Sequence, residues 1–138
     1  MEIKIPWIGD TIYYKLQAME IQDEFGITVE EHRSADDGLT ALLKQKYPLI
    51  IVNDKLTRDG LILPEGLSGE DFCGIACYVI GEVRKNSINQ DTPIVVPRFN
   101  SSLTPEPRYM AAGATKCVTL HSDQPRDFFN DQVREYLR

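Results

Sequence analysis

Two kinds of apolar run alternate along the chain. Short runs at residues 2 to 8, 27 to 32, 49 to 52, 92 to 97 and 115 to 120 read as strands. Leu49 to Val52 is continuously apolar, as a strand covered on both faces is. In the first run, Pro6 lacks the amide donor that an interior strand needs. The intervening stretches carry helical spacing. Thr11 to Phe25 places Ile12, Leu16, Met19 and Phe25 near one helical face, with Gly26 as a cap. Ser34-Ala35-Asp36-Asp37 reads as a capping box for a helix that carries Leu39, Leu42 and Leu43 and is ended by Tyr47-Pro48. Ser68-Gly69-Glu70-Asp71 reads as a second box, followed by a stripe of Phe72, Ile75, Ala76, Val79 and Val83. Thr104-Pro105 reads as the cap and first position of a short helix ending near Gly113. Asp123 is the expected cap of a last helix with Phe128, Phe129, Val133 and Leu137 as its contacts.

The order is strand then helix, five times over. Right-handed crossovers turn that order into a parallel sheet with helices on both faces. Five such units in 138 residues predict one domain, residues 1–138, with a flavodoxin-like doubly wound sheet of order 2-1-3-4-5. Internal repeats and low-complexity tracts are absent.

Composition narrows the function classes. With 15 Lys+Arg against 21 Asp+Glu, a formal charge of -6 disfavours nucleic acid and anionic membranes as partners. The N-terminal residues run directly into a strand-like segment, and no long apolar stretch follows, so a cytoplasmic protein is the expectation. Cys73, Cys77 and Cys117 are irregularly spaced and fit reduced core residues better than a disulfide framework or, with His121, a zinc site. His32 is expected at a surface or sheet edge. Gly-x-Gly-x-x-Gly, the P-loop pattern and a Cys-x5-Arg loop are all missing, which removes the commonest nucleotide and phosphatase readings of such a sheet.

The run Lys46-Tyr47-Pro48-Leu49-Ile50-Ile51-Val52-Asn53 resembles a stretch of the receiver domains of two-component response regulators. Val83-Arg84-Lys85 is similar to the close of their third helix, Thr92-Pro93-Ile94-Val95-Val96 to their fourth strand, and Ala111-Ala112-Gly113-Ala114 to the turn into their fifth. The resemblance, which covers nearly the whole chain, implies the CheY-like fold. It also implies a place for each functional group. The aspartate that accepts the phosphoryl group falls on Asn53, and the acidic pair that holds Mg²⁺ falls on Gly9 and Asp10. The hydroxyl residue of the fourth strand falls on Arg98, the lysine of the fifth on Leu120, and the switch aromatic on Cys117.

An amide does not form an acyl phosphate, and one carboxylate of three is left to hold a metal. These positions therefore describe a degenerate phospho-acceptor pocket, Gly9, Asp10, Asn53, Arg98 and Leu120, with no catalytic residue, metal or cofactor expected. Asp54 is the rival acceptor. Successive strand residues face opposite sides, so it points away unless the strand ends before it. Arg98 is expected either to pair with Asp10 as a fixed cation in place of the metal or to point into solvent.

The connection from Asp54 to Leu67 is longer than in receivers and contains Leu61, Ile62 and Leu63. This apolar cluster is expected to lie over the pocket as a lid, or to dock a partner. Two function classes follow. One is a phosphorylation-independent interaction module that binds another signalling protein or itself through the fourth helix, fifth strand and fifth helix. Its output would act through a partner or lie outside this sequence. The other is a small-molecule binder or enzyme using the strand-end pocket.

Overall fold

The computed structural model describes residues 2–99 and 106–137. In chain order the described residues form β1 (Lys4–Ile8), a 3-10 turn (Thr11–Tyr14), α1 (Lys15–Phe25), β2 (Thr28–His32), α2 (Ala35–Lys44) and β3 (Ile50–Val52). There follow α3 (Phe72–Asn86), β4 (Ile94–Phe99), α4 (Glu106–Ala112), β5 (Lys116–Leu120), α5 (Phe128–Val133) and a 3-10 turn (Arg134–Tyr136). The strands make one parallel sheet in the order β2-β1-β3-β4-β5, as the alternation predicts. The predicted Thr104-Pro105 cap lies outside the described residues.

Strand alternation divides the core in two. Ile8, Ile50, Val52, Ile94 and Val96 face α2, α3 and α4, where they meet Leu42, Ile75, Val79 and Val83. Ile5, Trp7, Leu49, Ile51, Val95 and Val118 face α1 and α5, where they meet Ile21, Phe129 and Val133. Burying each such side chain stabilises the fold by about 1.5–3 kcal/mol, so both layers are held mainly by this term.

Two prolines sit in interior strands, each beside the end of a ladder. The β1–β3 register begins at Trp7↔Ile51, one residue after Pro6. The β3–β4 register ends at Ile51↔Val95, before Pro97. Each proline thus lies just beyond the limit of a ladder to β3, where a strand can lack a donor.

Helix details differ from expectation. In α1 the buried face is Tyr14, Ala18 and Ile21, while Ile12, Leu16 and Met19 are exposed. The chain enters through a tighter 3-10 turn, and the stripe it turns inward contains a tyrosine and an alanine, which hydrophobicity alone ranks below the aliphatic set. Leu43 and Phe72 also lie at the exposed margins of their helices. The cap of α3 is Asp71, whose carboxylate accepts the Gly74 amide, and Ser68 serves the turn before it by accepting from the Glu70 amide. Ser34 occupies the cap position of α2 but gives its hydroxyl to Asp36. Asp127 takes the place expected for Asp123.

Candidate functional site

The carboxyl ends of β1, β3 and β4 surround a cavity of about 630 Å³, lined among others by Asp10, Tyr13, Tyr14, Asn53, Asp54 and Phe99. Carboxyl edges are where ligand sites of open α/β sheets form.

Asn53 lies at its floor and is buried. The Trp7 indole donates to its Oδ1 at 2.7 Å, and its Nδ2 donates to the Asp10 carbonyl at 2.9 Å. The amide thus uses both of its functions to tie β3 to β1 and to the turn that follows. A carboxylate could accept the first bond but could not donate the second.

Gly9 sits directly against this amide. Its φ of 116° is in the region that favours glycine, and a Cβ there would come within 2.4 Å of Asn53 Nδ2. The Asn53 side chain therefore fills the space that a side chain at position 9 needs. Two of the replacements noted in the sequence, Gly9 and Asn53, are one packing arrangement.

Asp10 keeps its carboxylate at the cavity but uses it as a helix cap, accepting from the Ile12 amide at 2.9 Å. The cation on which its charge acts is Arg33, whose guanidinium is pushed above its ordinary value first by Glu31 and then by Asp10. The expected pairing of Arg98 with Asp10 is not formed. Arg98 shares its parity on β4 with Ile94 and Val96 and so leaves the sheet on the α2–α4 face, whereas Asp10 opens the turn into α1 on the other. The charge of Arg98 reaches Tyr14 and Cys117 instead. Leu120 is buried and lines a second, smaller cavity with His121 and Phe128, which shares Phe99 with the first.

Asp54 changes place relative to the alternation argument. β3 ends at Val52, so the rule that would turn Asp54 away no longer applies. Its Oδ1 accepts from the Tyr14 hydroxyl at 3.1 Å, and its backbone carbonyl accepts from the buried Tyr109 hydroxyl of α4 at 2.8 Å. Tyr14 also reaches the Pro97 carbonyl at 3.3 Å and stacks on Phe99 with ring centroids 5.0 Å apart. Burial first, and then the Asp54 charge, push the Tyr14 hydroxyl far above its ordinary range. It remains a donor at any ordinary pH. Tyr13, Tyr14, Arg33 and Phe99 escaped the sequence reading, whereas Asp54 was considered there as the rival acceptor. The signals available were the Tyr13-Tyr14 pair just after Asp10 and the early end of a three-residue strand.

The long connection does not cover this cavity with its apolar cluster. Leu61, Leu63 and Leu67 pack against the α2–α3 side of the core, and Ile62 is 88% exposed. The Ala35 amide bonds the Thr57 carbonyl and the Gly60 amide bonds the Asp36 carboxylate, which hold the loop beside the start of α2. Of this connection, Asp54 to Thr57 and Asp59 reach the cavity wall.

A divalent ion of the Mg²⁺ type requires several oxygen ligands in near-octahedral array. Among the described residues no three His, Cys, Asp or Glu side chains come together to hold a metal, and Asp10 is already committed to its cap. The residues present do not fit that ion. Cys77 and Cys117 lie against the Arg108 and Glu106 carbonyls of α4, and burial pushes both thiols up, Cys117 to about 12. His32 lies between Glu30 and Asp37 at the β2 edge, away from the cavity.

No protein-family model matches the chain, and no curated protein matches it in sequence. Solved structures do match. The chemotaxis response regulator CheY4 of Vibrio cholerae is 17% identical with a TM-score of 0.67, over 99% of this chain and all of that one. The receiver domain of a sensor histidine kinase from Pseudomonas aeruginosa, with a magnesium ion in its active-site cleft, is 14% identical with a TM-score of 0.69, over 99% and 98%. A putative response regulator from Chloroflexus aurantiacus is 15% identical with a TM-score of 0.69 over the same shares. With the strand order, these likenesses show that the chain has the CheY-like receiver fold.

Proposed function

We propose that this chain is a signal-transduction module of the receiver type that acts by shape and contact without taking up a phosphoryl group. The observation that carries the reading is the Asn53 amide, bonded to Trp7 and to the Asp10 carbonyl and occupying the space above Gly9. Supporting it are the diversion of Asp10 into a cap and the presence of Leu120 and Arg98 where receivers carry a lysine and a hydroxyl. The Pseudomonas receiver domain coordinates magnesium in its cleft, whereas the donor set here does not suit that ion. Phosphoryl transfer depends on such positioned charges and has little else to drive it.

On this reading the protein has no turnover. Its partner is another signalling protein or a second copy, engaged through α4, β5 and α5. A charge of -6 argues against nucleic acid. No helix among the described residues is long and apolar enough to cross a membrane, and a place in the cytoplasm accords with the reading. Amide exchange across α4, β5 and α5, before and after Mg²⁺ and acetyl phosphate are added, tests the proposal. Unchanged protection is expected, and altered protection contradicts it.

The roughly 630 Å³ cavity favours a second reading, a small-molecule site at the same strand ends.

A further inference from the structure

The segment from Ile12 through α1 carries apolar side chains on two faces. Tyr14, Ala18 and Ile21 are buried in the core layer beneath it, whereas Ile12, Leu16 and Met19 turn outward and are 67%, 46% and 45% exposed. Their spacing, four residues and then three, is that of a seam between paired helices, and Asp23 continues it by four. A helix apolar on both faces is ordinarily covered on both.

The charges of α1 are placed against its macrodipole. Lys15 opens the helix and Asp23 lies in its last turn, with no acid in the first turn and no base in the last. A helix on its own favours the reverse. Along the side that meets α5, Glu20 and Glu24 are paired with Arg126 and Arg134. Lys15 and Asp23 are both exposed, and among the described residues neither forms an ion pair.

We propose that the outer face of α1 joins two copies of this chain, with the two helices antiparallel about a two-fold axis near Met19. Met19 stands four residues from Lys15 and four from Asp23, so the axis brings Lys15 of either copy against Asp23 of the other. Leu16 and Met19 of the two copies then cover one another. One arrangement thus accounts for the apolar seam and for the reversed charges. A seam of about three turns buries less than the roughly 800 Å² per partner of a standard interface, so the dimer is a weak one. It leaves α4, on the opposite face of the sheet, uncovered.

Sedimentation equilibrium under a thiol reductant, from about 20 μM to about 2 mM chain, reads the association directly. A monomer–dimer equilibrium with Kd of about 0.1–1 mM is expected. Lys15→Glu and Asp23→Lys should each weaken it by about three- to tenfold, because two pairs per dimer turn repulsive. The double variant exchanges the charges in both copies and should return to within about twofold of the parent. Both changes agree with the helix dipole, so an unfolding midpoint at or above the parent's sets folding damage aside. Met19→Glu, which buries a carboxylate at the axis, should abolish the dimer over the same range. No dimer up to roughly 2 mM, association indifferent to Met19→Glu, or a double variant that fails to recover would overturn the proposal.

Discussion

The Trp7 indole donates to Asn53 Oδ1 across 2.7 Å, joining the chain's one tryptophan on β1 to the first residue after β3. The bond lies on the α1–α5 side of the sheet, within the core layer that contains Trp7, and it turns the Asn53 amide inward. The same side chain then donates to the Asp10 carbonyl. Its part in the structure is to tie strand ends together.

Asn53→Asp therefore removes a donor and sets a carboxylate against the Asp10 carbonyl. The expected cost is about 1–3 kcal/mol in urea unfolding at neutral pH. The introduced carboxyl titrates above its unfolded value when folded. The destabilisation should thus be largest above its folded pKa and disappear as pH falls below the unfolded value of about 3.9. A variant as stable as the parent at pH 7 would show that the amide is not needed.

Gly9→Ala should cost about 2–5 kcal/mol, since it combines positive-φ strain with a clash against Asn53. Combining it with Asn53→Ala should recover part of that loss, because the second change removes the clashing amide. Additive losses in the double variant would show that the two positions are uncoupled.

Tyr109→Phe leaves the buried Asp54 carbonyl without its 2.8 Å donor from α4. A loss of about 1–2 kcal/mol is expected, with faster amide exchange in residues 106–112 as the local signature. Exchange confined to other segments would place the coupling of cavity and α4 elsewhere.

The fold was legible because its determinants are local and repeated. Continuous apolar runs at Leu49 to Val52 and Ile94 to Val96, each followed by a helical stripe, leave few topologies open. The site was legible in part. Gly9, Asp10 and Asn53 do meet, but Arg98 and Leu120 do not line the cavity, because strand parity and the limits of each ladder are properties of the assembled sheet. Asp54 shows the difficulty most clearly. Its direction depends on whether β3 ends at Val52, and nothing in Val52-Asn53-Asp54 itself says so. The buried face of α1 was missed for a related reason, since a 3-10 entry favours Tyr14 and Ala18 over more hydrophobic neighbours.

A pH effect follows from the link between α3 and α4. Arg108 first, and then the Gly74 amide, hold the Asp71 carboxyl below its ordinary value. A depressed folded pKa means the stabilisation is present above the unfolded value and is lost as pH falls through the folded one. The side chain is 37% exposed, so solvent screening limits this contribution to about 0.5–1 kcal/mol. Asp71→Asn should lower stability at neutral pH by that amount and flatten the acid limb below about pH 4. An acid limb identical to the parent's would remove Asp71 from the account.

Intact mass after incubation with Mg²⁺ and acetyl phosphate, beside a receiver that accepts phosphate under the same conditions, addresses the central claim most directly. The account predicts that this chain keeps its mass while the control gains one phosphoryl group. A stable phosphoryl adduct, above all one abolished by Asp54→Asn, would contradict it and make Asp54 the acceptor.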